Sequence, residues 1–136
     1  MKRSVILTVV AGLVGVLSLA ACGQQDSPAQ AIASYLQYRS ASDEARLLSV
    51  SCKDWEGQAR TEAASFQSMN AKLEGMACSQ TRTDGQFTVV ACTGKIITTY
   101  AGETRSRDLA ERNFKTIQED GRWKMCGYAE VTSPGQ

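Results

Sequence analysis

The sequence predicts an α+β fold, with three N-terminal helices packed on a curved four-stranded antiparallel sheet. Three observations support this. Helix caps and apolar residues at helical spacing fill the stretch from Ser27 to Phe66, while alternating and β-rich runs follow from Met69 onward. Acidic-Gly dipeptides at Asp84-Gly85 and Asp120-Gly121 then break the β-rich part into hairpins. Helices first and strands second, in 136 residues, make one two-layer unit rather than a parallel-sheet fold.

The first helix opens at Ser27-Pro28-Ala29-Gln30, with Ser27 as N-cap, Pro28 at the first helical position and Gln30 placed for a capping box. Ala29, Ile32, Ala33 and Leu36 carry it to about Arg39. Ser42-Asp43 caps a short second helix through Leu47 and Leu48. Ser51 or Asp54 opens a third, in which Trp55, Ala59, Ala63 and Phe66 recur at helical intervals behind Asp54 and Glu56 at the dipole-favoured start. Met69, Ala71 and Leu73 then alternate with polar residues as a strand does, and Gly75 marks a bulge before Met76–Arg82. A turn at Asp84-Gly85 returns the chain through Phe87–Tyr100. Ala101-Gly102 leads into a third strand, Arg105–Gln118, and Glu119-Asp120-Gly121 into a fourth, Arg122–Val131, with 132–136 as a tail.

Ahead of this domain, Met1-Lys2-Arg3-Ser4 precedes an apolar run from Val5 to Ala21, the pattern of a secretory signal peptide. The run ends in Leu19-Ala20-Ala21-Cys22, which resembles the lipobox of bacterial lipoproteins. That resemblance implies removal of residues 1–21 and attachment of a diacylglycerol, with acyl chains such as palmitate, to the Cys22 thiol. Residues 22–27 then form the lipidated cysteine and a short tether, and 28–131 the single domain. The implied partner is a membrane, cell or outer, with the domain facing the periplasm or exterior. Cleavage also removes Lys2 and Arg3, turning the balance of 15 Lys+Arg against 14 Asp+Glu into a slight acidic excess. Attachment then depends on the acyl chains, since burial of each methylene contributes about 0.8 kcal/mol.

The remaining cysteines, Cys52, Cys78, Cys92 and Cys126, are an even set in an exported chain, and so two disulfides are expected. The absence of any Cys-x-x-Cys argues against a thiolate metal site or a redox dithiol. Three connectivities exist. An Asp84-Gly85 turn sets Cys78 one step from facing Cys92, which favours Cys78–Cys92 with Cys52–Cys126; the other pairings stay open because turn type and bulge position are not fixed.

Function is bounded mainly by exclusion. The chain contains no histidine, which removes His acid/base catalysis and His-ligated metals; no cofactor or metal is expected. Near-neutral charge argues against nucleic-acid binding. The order of helices and strands, with Glu119-Asp120-Gly121-Arg122-Trp123-Lys124-Met125-Cys126 as the final hairpin, resembles the nuclear-transport-factor-2-like superfamily, or cystatin-like cone. The resemblance covers about residues 28–130 and implies a concave pocket between sheet and helices, without implying one activity. Trp55, Tyr100 and Trp123 are the candidate pocket residues. The expected role is a ligand-binding or protein-interaction module, with a homodimer through the sheet as a further form. The alternative is an isomerase- or dehydratase-like enzyme working by carboxylate chemistry, for which Asp108 and Glu111, with Tyr100 as donor, are the candidates in the strand region that do not fall at turns. Their interleaving with Arg105, Arg107 and Arg112 favours a solvated strand face instead.

Overall fold

A computed structural model describes residues 26–133. Cys22, the signal peptide and most of the tether lie outside the described residues. Helix α1 (Pro28–Ser40) starts as its cap chemistry dictates, with Ser27 Oγ accepting the Gln30 N–H at 3.1 Å. Its buried stripe is Ala31, Ile32, Tyr35 and Leu36. Asp43 caps α2 (Glu44–Ser49) by accepting the Arg46 N–H at 3.1 Å. A 3₁₀ turn (Lys53–Trp55) leads into α3 (Glu56–Phe66), which has no side-chain cap.

The sheet contains five strands rather than four: β1 (Lys72–Asp84), β2 (Phe87–Tyr100), β3 (Glu103–Asp108), β4 (Asn113–Glu119) and β5 (Arg122–Ala129). All pairings are antiparallel, in the order β1-β2-β4-β5, with β3 on β2 as well. The expected third strand is divided. Its first part pairs with the Lys95–Tyr100 end of β2 and its second with Thr88–Ala91. Between them a 3₁₀ turn (Leu109–Glu111) absorbs one extra residue and drives Leu109 into the core at 5% exposure. An apolar residue out of phase with its strand is satisfied by breaking the strand. The start of β1 also moves, from Met69 to Lys72, because Ser68 and Asn70 take positive φ values of 75° and 42°.

The hairpin turn falls one residue later than expected, with Asp84 opposite Phe87 and Gly85-Gln86 as the loop. Gly85 supplies the positive φ at the first loop position. A bulge at Thr81 then shifts the register so that Cys78 faces Cys92. A second irregularity, at Gly75-Met76, lies opposite Gly94, whose φ is +101°. A Cβ on Gly94 would lie 2.6 Å from the carbonyl oxygens of both Glu74 and Gly75. Only glycine fits this point, where the two strands bend together and the sheet acquires its curvature.

The core forms where α1, α2 and α3 cover one face of the sheet, around Ile32, Tyr35, Leu36, Leu47, Val90, Phe114 and Met125. Two cross-links tie it. Cys78–Cys92 joins neighbouring strands at a Cα separation of 4.1 Å, and Cys52–Cys126 joins the segment before α3 to β5 at 5.3 Å. The second is reinforced by backbone bonds, Cys52 N–H to Met125 O and Met125 N–H to Val50 O, both 2.8 Å. Two disulfides place the folded chain in a non-reducing compartment.

The two bonds close loops of very different length, with sequence separations of 74 and 14. Loop-closure entropy then assigns about 4.5 kcal/mol to Cys52–Cys126 and about 3 kcal/mol to Cys78–Cys92. Removing each pair separately by Cys→Ala substitution should lower the urea midpoint more for the Cys52/Cys126 pair; the reverse order would contradict this account.

Candidate functional site

The residues that build the site begin on α3. Its inward stripe contains one charged residue, Glu62, only 9% exposed. A carboxylate there must find donors, since an unpaired buried charge costs several kcal/mol. Glu62 Oε2 accepts the Tyr35 hydroxyl at 3.0 Å and Arg39 Nη1 at 3.3 Å, while Oε1 accepts the Tyr128 hydroxyl at 2.7 Å. Each phenol oxygen in turn accepts one bond. Trp55 Nε1–H donates to Tyr35 at 3.0 Å, and Arg39 Nη1 donates to Tyr128 at 3.0 Å. The indole also meets the Tyr128 ring edge-on, with centroids 5.4 Å apart.

Five side chains from α1, the first 3₁₀ turn, α3 and β5 thus close one network. Burial, and then the neighbouring Glu62 carboxylate, push the Tyr35 phenol far above its ordinary value. Burial likewise raises Tyr128, with Arg39 opposing and Glu62 adding to it. Both phenols therefore stay protonated and act as fixed donors.

This network forms one end of an open groove of about 560 Å³ between α3 and the β2–β3 hairpin. Its apolar floor comprises Phe66, Met69, Ile96, Leu109 and Phe114, and its rim bears Arg105, Arg107, Asp108, Glu111 and Arg112. Arg112 lies with its guanidinium 5.0 Å from the Tyr128 ring centroid, and Arg39 stacks 5.1 Å from the Phe66 ring.

None of the three pocket candidates named from sequence lines this groove. Trp55 is half-buried behind it, held by Tyr35 and Tyr128. Tyr100, at the far end of β2, is 63% exposed. Trp123 is half-buried at the start of β5, where its backbone N–H donates to the Asp26 carboxylate at 3.0 Å. Asp108 and Glu111 do reach the groove, but as exposed rim residues. Glu111 stands 3.7 Å from Arg107 with both side chains more than half exposed, an arrangement worth little energetically.

Glu62, Arg39 and Arg112 were missed as site residues. Glu62 had a readable signal, since it falls on the stripe of Trp55, Ala59, Ala63 and Phe66, where a charge is out of place. The convergence of Arg39, Tyr35 and Tyr128 on it requires the tertiary fold. Among the described residues no cluster of His, Cys, Asp and Glu is suited to a metal ion, and no helix is long and apolar enough to cross a membrane.

Comparison with known protein families gives no match, and comparison with curated proteins gives none. Among solved structures, the chain is similar to a SEC-C motif-containing protein from Rhodopseudomonas palustris, at 12% identity and a TM-score of 0.50, over 75% of this chain and 77% of that one. It is also similar to a helical cell-shape-determining protein from Campylobacter jejuni, at 10% identity and a TM-score of 0.48, over 73% of this chain and 38% of that one. The first likeness concerns the fold alone.

Two outcomes follow from the network. Glu62→Ala should destabilise the domain by about 3–5 kcal/mol, because it leaves Arg39 buried without its counter-charge; a loss below about 1 kcal/mol in urea unfolding would contradict the geometry. Tyr35 and Tyr128 keep their protons when folded, whereas an unfolded phenol releases its own near pH 10. Their contribution is therefore present below about pH 10 and lost as pH rises beyond it, by about 1.4 kcal/mol per pH unit for each phenol. Tyr35→Phe should flatten that alkaline decline relative to wild type, and an unchanged slope would remove Tyr35 from the account.

Proposed function

We propose that the protein is a bacterial lipoprotein, anchored through Cys22, whose extracytoplasmic domain is a nuclear-transport-factor-2-like binding module that takes a small ligand in the groove beside Glu62. The observation that carries the binding reading is the groove itself. It has an apolar floor, charged groups at one end and a volume of about 560 Å³, within the range of small-molecule sites. The supports for the anchor are the lipobox-like Leu19-Ala20-Ala21-Cys22 and the two disulfides of an exported chain.

The tether has a geometric consequence. Asp26 docks on the Trp123 N–H, and Cys22 precedes it by four residues, a span of at most about 14 Å. The α1 N-terminus and the β4–β5 turn therefore sit nearest the membrane. Arg39, in the last turn of the 13-residue α1, lies about 17 Å along the helix axis from its start.

A pocket enzyme using carboxylate chemistry is the second reading, and Glu62 in the groove is the observation that favours it. Against it, Glu62 already accepts two phenols and a guanidinium. Three of the roughly four acceptor positions of the carboxylate are thereby occupied, which leaves it little capacity to take a substrate proton.

Metabolic labelling with a palmitate analogue tests the anchor. Wild-type protein should take up the label and migrate as the processed chain, and Cys22→Ser should lose both properties. Label retained by Cys22→Ser, or none on wild type, would overturn the lipoprotein assignment.

A further inference from the structure

We infer that the groove selects an amphipathic anion, a carboxylate or similar oxyanion on an apolar body, with Arg112 and Nη2 of Arg39 holding the head and the Phe66–Ile96–Leu109–Phe114 floor holding the body. This rests on the groove being a binding site, as proposed above.

The first observation is the state of Arg39. Its Nη1 makes both bonds into the network, to Glu62 and to the Tyr128 hydroxyl. Its Nε is buried with no hydrogen-bond acceptor among the described residues. No hydrogen bond engages Nη2 among the described residues either, and that atom is not sealed from solvent as Nε is. Of the guanidinium donors, Nη2 is therefore the one an incoming anion can reach, through a single charge-assisted bond. Glu62 and Tyr128 take up Nη1, so Arg39 is held in place with Nη2 unused.

The second observation is Arg112. Its guanidinium stands over the Tyr128 ring, whose hydroxyl Arg39 also contacts, and no ion pair within 4.0 Å engages it among the described residues. Two guanidinium groups thus converge on one phenol, and Glu62 supplies a single negative charge against both. Elsewhere on the rim, Arg105 faces Glu103 at 3.2 Å and Arg107 faces Glu111 at 3.7 Å. The lining as a whole contains four arginines and three carboxylates, although the mature domain is slightly acidic. Asp108, on the β3 side, leaves the Arg39–Arg112 end as the place for the head group.

The third observation is adjacency. Phe66, whose ring Arg39 covers, and Phe114, tilted against Tyr128 at 5.7 Å, continue directly from this end into the apolar floor. A ligand matched to it has its charge at one end, a pattern that neither an inorganic anion nor a neutral lipid fits. The binding constants of two probes that share an aromatic body and differ by one sulfonate, anilinonaphthalene sulfonate and uncharged phenylnaphthylamine, separate the contributions.

The experiment titrates the purified full chain with each probe by fluorescence. The expected result is one-to-one binding of the sulfonate, at least about tenfold tighter than the neutral probe, a difference that one charge-assisted contact supplies. Arg112→Gln, at an exposed position, should remove most of that advantage and leave the neutral probe unchanged. Ser65→Trp, which fills the groove from α3, should abolish both. Equal affinities for the two probes would overturn the anion assignment while leaving a binding groove. Binding of neither probe would overturn the groove reading itself. Sulfonate binding that survives Ser65→Trp would place the anion elsewhere and refute the inference.

Discussion

A carboxylate at the centre of the helix–sheet interface imposes the strongest constraint on this fold. Glu62 is largely withdrawn from water, and Tyr35, Tyr128 and Arg39 reach its carboxylate at hydrogen-bond distance. Those three donors come from α1 and β5, and Trp55 extends the chain to the 3₁₀ turn before α3. Apolar packing alone would allow α3 to slide or rotate on the sheet at modest cost. Directional bonds to both oxygens of one carboxylate do not, so the network sets the position of α3, and α3 forms one wall of the groove.

The opposite wall depends on the sheet being bent and interrupted. Gly94 accepts the carbonyls of Glu74 and Gly75 where any side chain would collide, and the strand beside it breaks at Leu109. The break lets Leu109 enter the core while its flanking polar residues remain in solvent, and it places Arg112 beside Tyr128 instead of in register on a continuous strand. Local irregularity in one strand thereby becomes the rim of a site. The Cys52–Cys126 bond holds the other side, fixing the approach to α3 against β5 close to Met125.

The fold class was legible from sequence because caps, spacing and turn residues act locally. Ser27 and Asp43 cap their helices as their side chains require, and the hairpin pattern brings Cys78 opposite Cys92 once the Thr81 bulge is included. The strand count was not legible. A run such as Arg105–Gln118 reads as continuous, and only competition between two halves of β2 and the burial of Leu109 divides it. The site was less legible still. Aromatic residues were visible, but their size points equally to core and pocket, and Trp55 proved to support the network from behind. The informative feature was a misfit, one glutamate on an apolar helix stripe. The identity of its partners depends on contacts 23 to 66 residues distant in sequence, which no local pattern encodes.

The central claim, that the buried Glu62 network fixes the site, is most directly tested by proton NMR of the hydroxyl and indole hydrogens. Two tyrosine hydroxyl protons and the Trp55 indole proton should be resolved with slow solvent exchange, and nuclear Overhauser contacts should connect the hydroxyl protons to the Glu62 side chain. Hydroxyl protons that exchange too fast to be seen, in a protein whose amide protons show an intact sheet, would contradict it.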